Sequence, residues 1–251
     1  MTDTPTALVT GGSRGIGAAT ARHLAARGYR VAVNYFSNRA AADQVVKEIT
    51  ADGGSAFAVR GDVRDDDEAA ELVRRAAEGG RLDVLVCNAA AAHFTPTPLR
   101  DLPWEDFRGK VTDELAAVYP LTQHALAVMS GQGYGQIVYV SSLLAEGPSA
   151  PGMIAHGTAK AALNTFAQFV ACEAGPLGVN VNVVSPGYVR TEASAGIPAE
   201  VQRRIAERTP LGRVAEPDDV ARAIGLLVGS DAGFVTGTVL RVDGGAGASR
   251  M

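Results

Sequence analysis

The sequence predicts a single doubly wound α/β domain over residues 1–251, built on a parallel sheet of about seven strands. Three observations carry this expectation. Short apolar runs alternate with helical patterns of about 10–15 residues along the whole chain. Several of those runs are apolar at every position, the pattern of strands covered on both faces. The first run opens into a glycine-rich turn, Thr10-Gly-Gly-Ser-Arg-Gly-Ile-Gly17, and a helical pattern follows at once.

The elements follow in order. Ala7-Leu-Val-Thr10 is an apolar strand ending in glycines. Residues 15–28 read as a helix with Ile16, Ala19 and Leu24 on one face, closed by Gly28. Arg30-Val-Ala-Val-Asn34 is the second strand, and residues 38–52 have helical spacing through Ala42, Val45, Val46 and Ile49 before Gly53-Gly54. Ala56-Phe-Ala-Val59 is the third strand. A helix over 65–78 opens with Asp65-Asp-Asp-Glu68, acids that suit the positive end of a helix dipole. Leu82-Asp-Val-Leu-Val86 is the fourth strand, and 103–130 reads as one long helical region. Ile137-Val-Tyr-Val140 and Val179-Asn-Val-Asn-Val-Val184 are the fifth and sixth strands, with a helix over about 153–174 between them. A helix over 217–229 and a strand over 238–242 complete the set. The loosest stretch, Ala193-Ser-Ala-Gly-Ile-Pro198, reads equally as a flap over a site or as an ordinary surface loop.

Composition narrows the function classes. The net charge is −4 and no long basic run occurs, so nucleic acid is not an expected partner. No apolar run approaches the roughly 18 residues of a membrane span. The start, Met1-Thr-Asp-Thr-Pro-Thr, lacks the basic and apolar regions of a signal peptide. The two cysteines, Cys87 and Cys172, are expected as reduced core residues, and a cytoplasmic location follows as the expectation. No Cys/His cluster has metal-ligand spacing, so no metal is expected.

The glycine turn has the chemistry of a phosphate cradle. Gly11 allows a tight turn, Gly15 and Gly17 allow close backbone approach, and a helix N-terminus offers N–H groups to an anion, with Ser13, Arg14 and Ile16 alongside. An acid after the second strand would bind the ribose diol of NAD. Asn34-Tyr-Phe-Ser-Asn-Arg39 has none, whereas Arg14, helped by Ser37 or Arg39, can pair with a 2′-phosphate. NADP(H) is therefore expected over NAD(H), although Arg39 taken alone reads first as a solvated residue starting a helix.

Several segments together resemble the short-chain dehydrogenase/reductase family, over essentially the whole chain. They are the turn over 10–17, Asp62-Val63, Cys87-Asn-Ala-Ala90, Val140-Ser-Ser-Leu143, His156-Gly-Thr-Ala-Lys160, Pro186-Gly-Tyr-Val-Arg-Thr191, Gly212-Arg-Val-Ala-Glu-Pro217 and Val242-Asp-Gly-Gly245. The resemblance implies a Rossmann-type dinucleotide-binding domain. It implies that Asp62 and Val63 contact adenine, that Asn88 and Ala89 border the cofactor, and that Pro186, Gly187, Val189 and Thr191 hold the nicotinamide end. It further implies that Ser142 hydrogen-bonds the substrate oxygen and that Lys160 binds the cofactor ribose. Homotetramers or homodimers through the long helices containing Glu114 and His156 are implied as well.

Besides Cys87 and Ala90, two chemistry positions depart from the family pattern. His156 stands where the family carries its proton-transferring Tyr, and Glu114 stands where it carries an Asn of the proton relay. A phenol beside a lysine can ionise, but a neutral imidazole does not give up its proton and donates only as imidazolium. Lys160 nearby should favour the neutral ring, a base, and Glu114 should oppose that effect. The expectation is an NADP(H)-dependent oxidoreductase of ketoreductase or alcohol dehydrogenase type, acting on a small-molecule or carrier-bound acyl substrate. A non-redox enzyme on the same scaffold (dehydratase, isomerase or cyclase) and a catalytically silent dinucleotide-binding protein are the alternatives. Met153 removes the wider-spaced Tyr of the enoyl-reductase branch. Tyr188, Tyr119 and His93 are the remaining candidates to face a substrate.

Overall fold

The computed structural model describes residues 4–89, 95–147 and 151–248. Its sheet consists of β1 (Thr6–Val9), β2 (Arg30–Tyr35), β3 (Ser55–Arg60), β4 (Val84–Cys87), β5 (Gly135–Val140), β6 (Val179–Pro186) and β7 (Val239–Val242). These strands lie in the order β3-β2-β1-β4-β5-β6-β7, and every neighbouring pair is parallel. Leu8 sits beside Ala32 on one side and Leu85 on the other, so β1 is central. The chain winds outward from β1 to β3 and then restarts at β4. A crevice therefore opens where β1 and β4 part, at their carboxyl ends.

Alternate side chains along each strand feed two cores. Leu8, Leu85, Ile137, Tyr139, Val181 and Val183 meet α3 (Asp66–Ala76), α5 (Tyr119–Gln132) and α6 (Ile154–Ala174). Ala7, Val9, Val86, Val138, Val140 and Val184 meet α1 (Gly15–Ala26), α2 (Arg39–Ala51) and α8 (Pro217–Leu227). Both faces of the inner strands β1 and β4 are covered, which is why those strands read as continuous apolar runs.

The structure corrects three expectations. The region over 103–130 is two helices, α4 (Trp104–Ala116) and α5, parted at Ala117-Val118. Pro120 lies in the first turn of α5; it has no N–H for a bond back to Ala116, and its ring would crowd that carbonyl in a continuous helix. A helix not anticipated, α7 (Ala199–Arg208), follows the loose stretch, starting after Pro198. None of its residues is buried, its apolar face is short, carried by Val201 and Ile205 one turn apart, and Glu200, Arg203, Arg204 and Glu207 pair along the rest of its surface. Cys172 is exposed on α6 rather than in the core, while Cys87 is buried; neither forms a disulfide. Among the described residues no helix is long and apolar enough to cross a membrane.

Burial on α2 sets a simple test of this packing. Ile49 is 2% exposed under the sheet, and Lys47 on the same helix is exposed. Ile49→Ala should lower the unfolding free energy by about 2–5 kcal/mol, and Lys47→Ala by no more than about 0.5 kcal/mol, in urea titrations. Equal effects would contradict the assigned face.

Candidate active site

The crevice is built from the ends of β1, β2 and β4. Gly11 and Gly15 adopt φ of +59° and +52°, a region that side chains other than glycine rarely occupy. A Cβ on Gly17 would lie 2.2 Å from the Gly11 carbonyl oxygen and 2.6 Å from Asn88 Nδ2, so only glycine lets α1 start this close to the turn. The first turn of α1 carries no acid, leaving its N–H groups and positive dipole end open to an anion. Thr10 Oγ1 accepts from the N–H groups of Asn88 and Ala89, each at 3.0 Å. Asn88 Nδ2 donates back to the Thr10 and Gly11 carbonyls at 3.0 and 3.2 Å.

A cleft of about 540 Å³ follows from this arrangement. It is lined by Gly11, Ser13, Arg14, Gly15, Ile16, Ser37, Asp62, Val63, Asn88, Ala89, Lys160 and Thr191, all of them expected at a dinucleotide site. Gly17 lies just behind the lining, against Gly11 and Asn88. Arg39 does not line the cleft; it is exposed at the start of α2, with Nε 3.3 Å from Asp43. Pro186, Gly187 and Val189 are not in the lining either. Pro186 ends β6 beside Val242, the Gly187 N–H donates to the Val242 carbonyl, and Val189 is buried and bridges to Ala215. This stretch leads directly to Thr191, which approaches Gly15. The cradle, the open helix terminus and the size of the cleft fit a dinucleotide.

Two polar residues of the cleft had no assigned role from sequence. Asn34, noted only for not being an acid, is 2% exposed; its Oδ1 accepts from Gly11 N–H at 3.1 Å and its Nδ2 donates to the Gly61 carbonyl at 3.1 Å. Arg64 lines the cleft and grips Asp62 through two nitrogens at 3.0 and 2.8 Å, which holds the Asp62 carboxyl below its usual value. A polar residue ending an otherwise apolar strand was the available signal for Asn34.

The chemistry positions gather on α4, β5 and α6. Ser142 follows β5, half-buried, and its Oγ accepts from Leu144 N–H at 3.2 Å. Ser141 turns away, donating to the Lys160 carbonyl at 3.4 Å. Lys160 Nζ is 11% exposed by side chain, donating to Glu114 Oε1 and to the Val140 carbonyl, both at 2.7 Å. Glu114 Oε2 accepts from a second buried lysine, Lys110, at 2.9 Å. Burial works to raise the Glu114 carboxyl, but the charges and hydrogen bonds of Lys160 and Lys110 outweigh it and hold the group below its ordinary value, ionised. His156 is partly buried, and its pKa is pulled down to about 4 by burial first, then by Lys160 and Lys110, with Glu114 opposing. Near neutral pH the ring is therefore a neutral base.

The remaining candidates lie elsewhere. Tyr188 lines a separate cleft of about 550 Å³ with Thr209, Leu211 and Asp243, and its buried hydroxyl has no hydrogen-bond partner among the described residues. Tyr119 is exposed on α5 beside Gln123. His93 lies outside the described residues. Among the described residues no cluster of His, Cys, Asp and Glu could hold a metal ion.

Comparison with known proteins extends this picture. The family described as Enoyl-(Acyl carrier protein) reductase matches residues 11–247. A cis-4-hydroxycyclohexanecarboxylate dehydrogenase from Sinomonas cyclohexanicum is 42% identical over 240 residues, 95% of each chain. A 3-oxoacyl-[acyl-carrier-protein] reductase from Synechocystis sp. is 39% identical over 241 residues, again 95% of each. A mutant short-chain dehydrogenase/reductase from Serratia marcescens superposes with a TM-score of 0.88 at 31% identity, covering 97% of this chain and 98% of the other. A dehydrogenase/reductase from Sinorhizobium meliloti gives 0.86 at 38% identity, covering 96% and 94%.

The depressed His156 has a sign in stability. The unfolded chain binds a proton on this ring below about pH 6.5, whereas the native ring declines it until about pH 4. Stability from this group is thus present above the unfolded value and is lost as the pH falls across that window, by at most about 3 kcal/mol. His156→Gln should lose correspondingly less stability than the wild type on acidification, measured by urea midpoints. Parallel loss in both proteins would refute the shift.

Proposed function

The chain belongs to the short-chain dehydrogenase/reductase family, and from that premise we propose that it is an NADP(H)-dependent oxidoreductase interconverting an alcohol and a carbonyl, with a histidine base where the family uses a tyrosine. The observation that carries this reading is that Lys160, one turn after His156, lines the same cleft as the glycine turn. Bound NADP⁺ would supply the hydride acceptor. Lys160 would hold the ribose hydroxyls, and Ser142 would donate its hydroxyl proton to the substrate oxygen. In alcohol oxidation His156 takes the hydroxyl proton as the carbinol C–H bond breaks and the carbonyl forms.

The charge state of the ring favours that direction. A neutral imidazole accepts a proton across the neutral range, and the imidazolium that carbonyl reduction needs is scarce there. The names of two relatives agree: the Sinomonas protein and an L-rhamnose 1-dehydrogenase (NAD(P)(+)) from Azotobacter vinelandii, 40% identical over 248 residues, are dehydrogenases. A small alcohol or a carrier-bound acyl group is the substrate class these names support.

Preference for NADP(H) rests on the end of β2. Residues 34–39 carry no carboxylate, and the nearest lining acid, Asp62, is engaged by Arg64. Arg14 and Ser37 line the cleft and supply the groups for a 2′-phosphate. Arg39 would have to leave Asp43 to join them. Exposed Trp104, Tyr119 and Phe169 on α4, α5 and α6 support a homodimer or homotetramer through those helices. A second reading has one observation in its favour: a neutral base beside a cationic cluster can also take a proton next to a carbonyl, giving non-redox chemistry.

Arg14→Ala should weaken NADPH binding about ten- to a hundredfold, as expected for a lost charge-assisted hydrogen bond, and leave NADH binding nearly unchanged. Equal losses for both nucleotides in calorimetric titrations would remove the 2′-phosphate reading. His156→Phe should abolish turnover while nucleotide affinity stays within a few-fold, roughly 1 kcal/mol. Consumption of substrate by the wild type without any change in nicotinamide absorbance would instead select the non-redox reading.

A further inference from the structure

On α4 the buried residues are Lys110 and Glu114, and both are charged. They stand four residues apart, so they share the helix face that packs on α6. Apolar residues would serve packing there at least as well, because taking charges out of water costs more than an ordinary pair returns. The partners show what the charges do. Lys110 Nζ holds Glu114 Oε2 at 2.9 Å, and Glu114 Oε1 holds Lys160 Nζ at 2.7 Å. Lys160 Nζ also donates to the carbonyl of Val140, the last residue of β5. One carboxylate is spanned by two ammonium groups, and one net positive charge remains.

We propose that Lys110 is a positioning residue of the active site: by fixing one oxygen of Glu114 it turns the other to Lys160, anchors that ammonium at the end of β5, and supplies the second positive charge that acts on His156. This rests on the cleft being the oxidoreductase site, and it adds a residue that touches neither nucleotide nor substrate. Among the described residues, the charged groups acting on the His156 ring are Lys160 from α6 and Lys110 and Glu114 from α4. Cys87, on β4, feels the Lys160 charge, but burial pushes its thiol far up and it stays neutral. Among the described residues, the charge balance around the ring is thus set by Lys160, Lys110 and Glu114.

The test follows the His156 ring by NMR in the full chain without nucleotide, as a function of pH, with His156→Phe assigning the signal among the four histidines. Lys110→Met removes one positive charge, and the ring should bind a proton about tenfold more tightly than in the wild type. Lys110→Met combined with Glu114→Gln leaves the single charge of Lys160 and should return the ring to wild-type titration. Lys110→Arg should change it little. A purely structural lysine predicts lower thermal stability with no shift and no return, and either result overturns the proposal. Lys110→Gln carries the same test if Lys110→Met does not fold. Failure of both uncharged variants to fold would assign Lys110 to the fold and equally overturn it. The readout needs no substrate, so it is decided apart from the oxidoreductase reading, which turnover alone decides.

Discussion

The structure depends on how three strand ends are tied where the sheet changes direction. β1, β2 and β4 part there, and their last peptide groups lose the ladder partners that the rest of each strand has. Side chains replace those partners: Thr10 accepts from two N–H groups after β4, Asn88 returns two bonds to the β1 side, and Asn34 links the Gly11 N–H to the Gly61 carbonyl. Unpaired groups in such a place would be expensive, so the polar side chains are required by the topology itself. The glycine turn is then held open at fixed width, and the cleft is a by-product of closing the backbone accounts with side chains.

The second constraint is electrostatic. A buried lysine at the end of β5 needs a counter-charge, and here a carboxylate shared with another lysine provides it. The cluster keeps a positive bias next to a ring whose burial already favours neutrality. A tyrosine in this setting would be driven toward phenolate, whereas a histidine is driven toward a neutral base; the same field produces opposite consequences for acid catalysis. The Glu114 carboxylate tempers that field without cancelling it.

Much of the fold was legible in the sequence. All seven strands stood out in sequence; those buried on both faces, such as β4 and residues 7–9 of β1, are apolar throughout, while β6 alternates with Asn180 and Asn182. The split at Ala117-Val118 did not stand out, since helical spacing continues across it and only Pro120 marked the restart. Helix α7 was hard to see because its apolar face is only Val201 and Ile205 amid a run of charge pairs, and none of it is buried. In the site, the residues that line the cleft through their backbone were readable from glycine spacing. Lys110 was not, because a Lys four residues before a Glu is an ordinary feature of exposed helices, and only packing on α6 reveals that this pair is buried. Tyr188 lines the neighbouring cleft with Val242 and Asp243, a placement that glycine spacing does not foretell.

The seam between α1 and α8 has a consequence for how the chain acquires this shape. Ala18, Ala21, Leu24 and Ala25 of α1 are covered by Val220, Ile224 and Leu227 of α8, and the Tyr29 hydroxyl donates to the Val228 carbonyl, 199 residues away. Helix α1 therefore stays uncovered on this face until α8 packs on it. Long-range closures of this kind slow folding and leave apolar surface bare in the interim. A chain that already carries its glycine turn therefore keeps an apolar face of α1 bare until residues about two hundred positions later close over it.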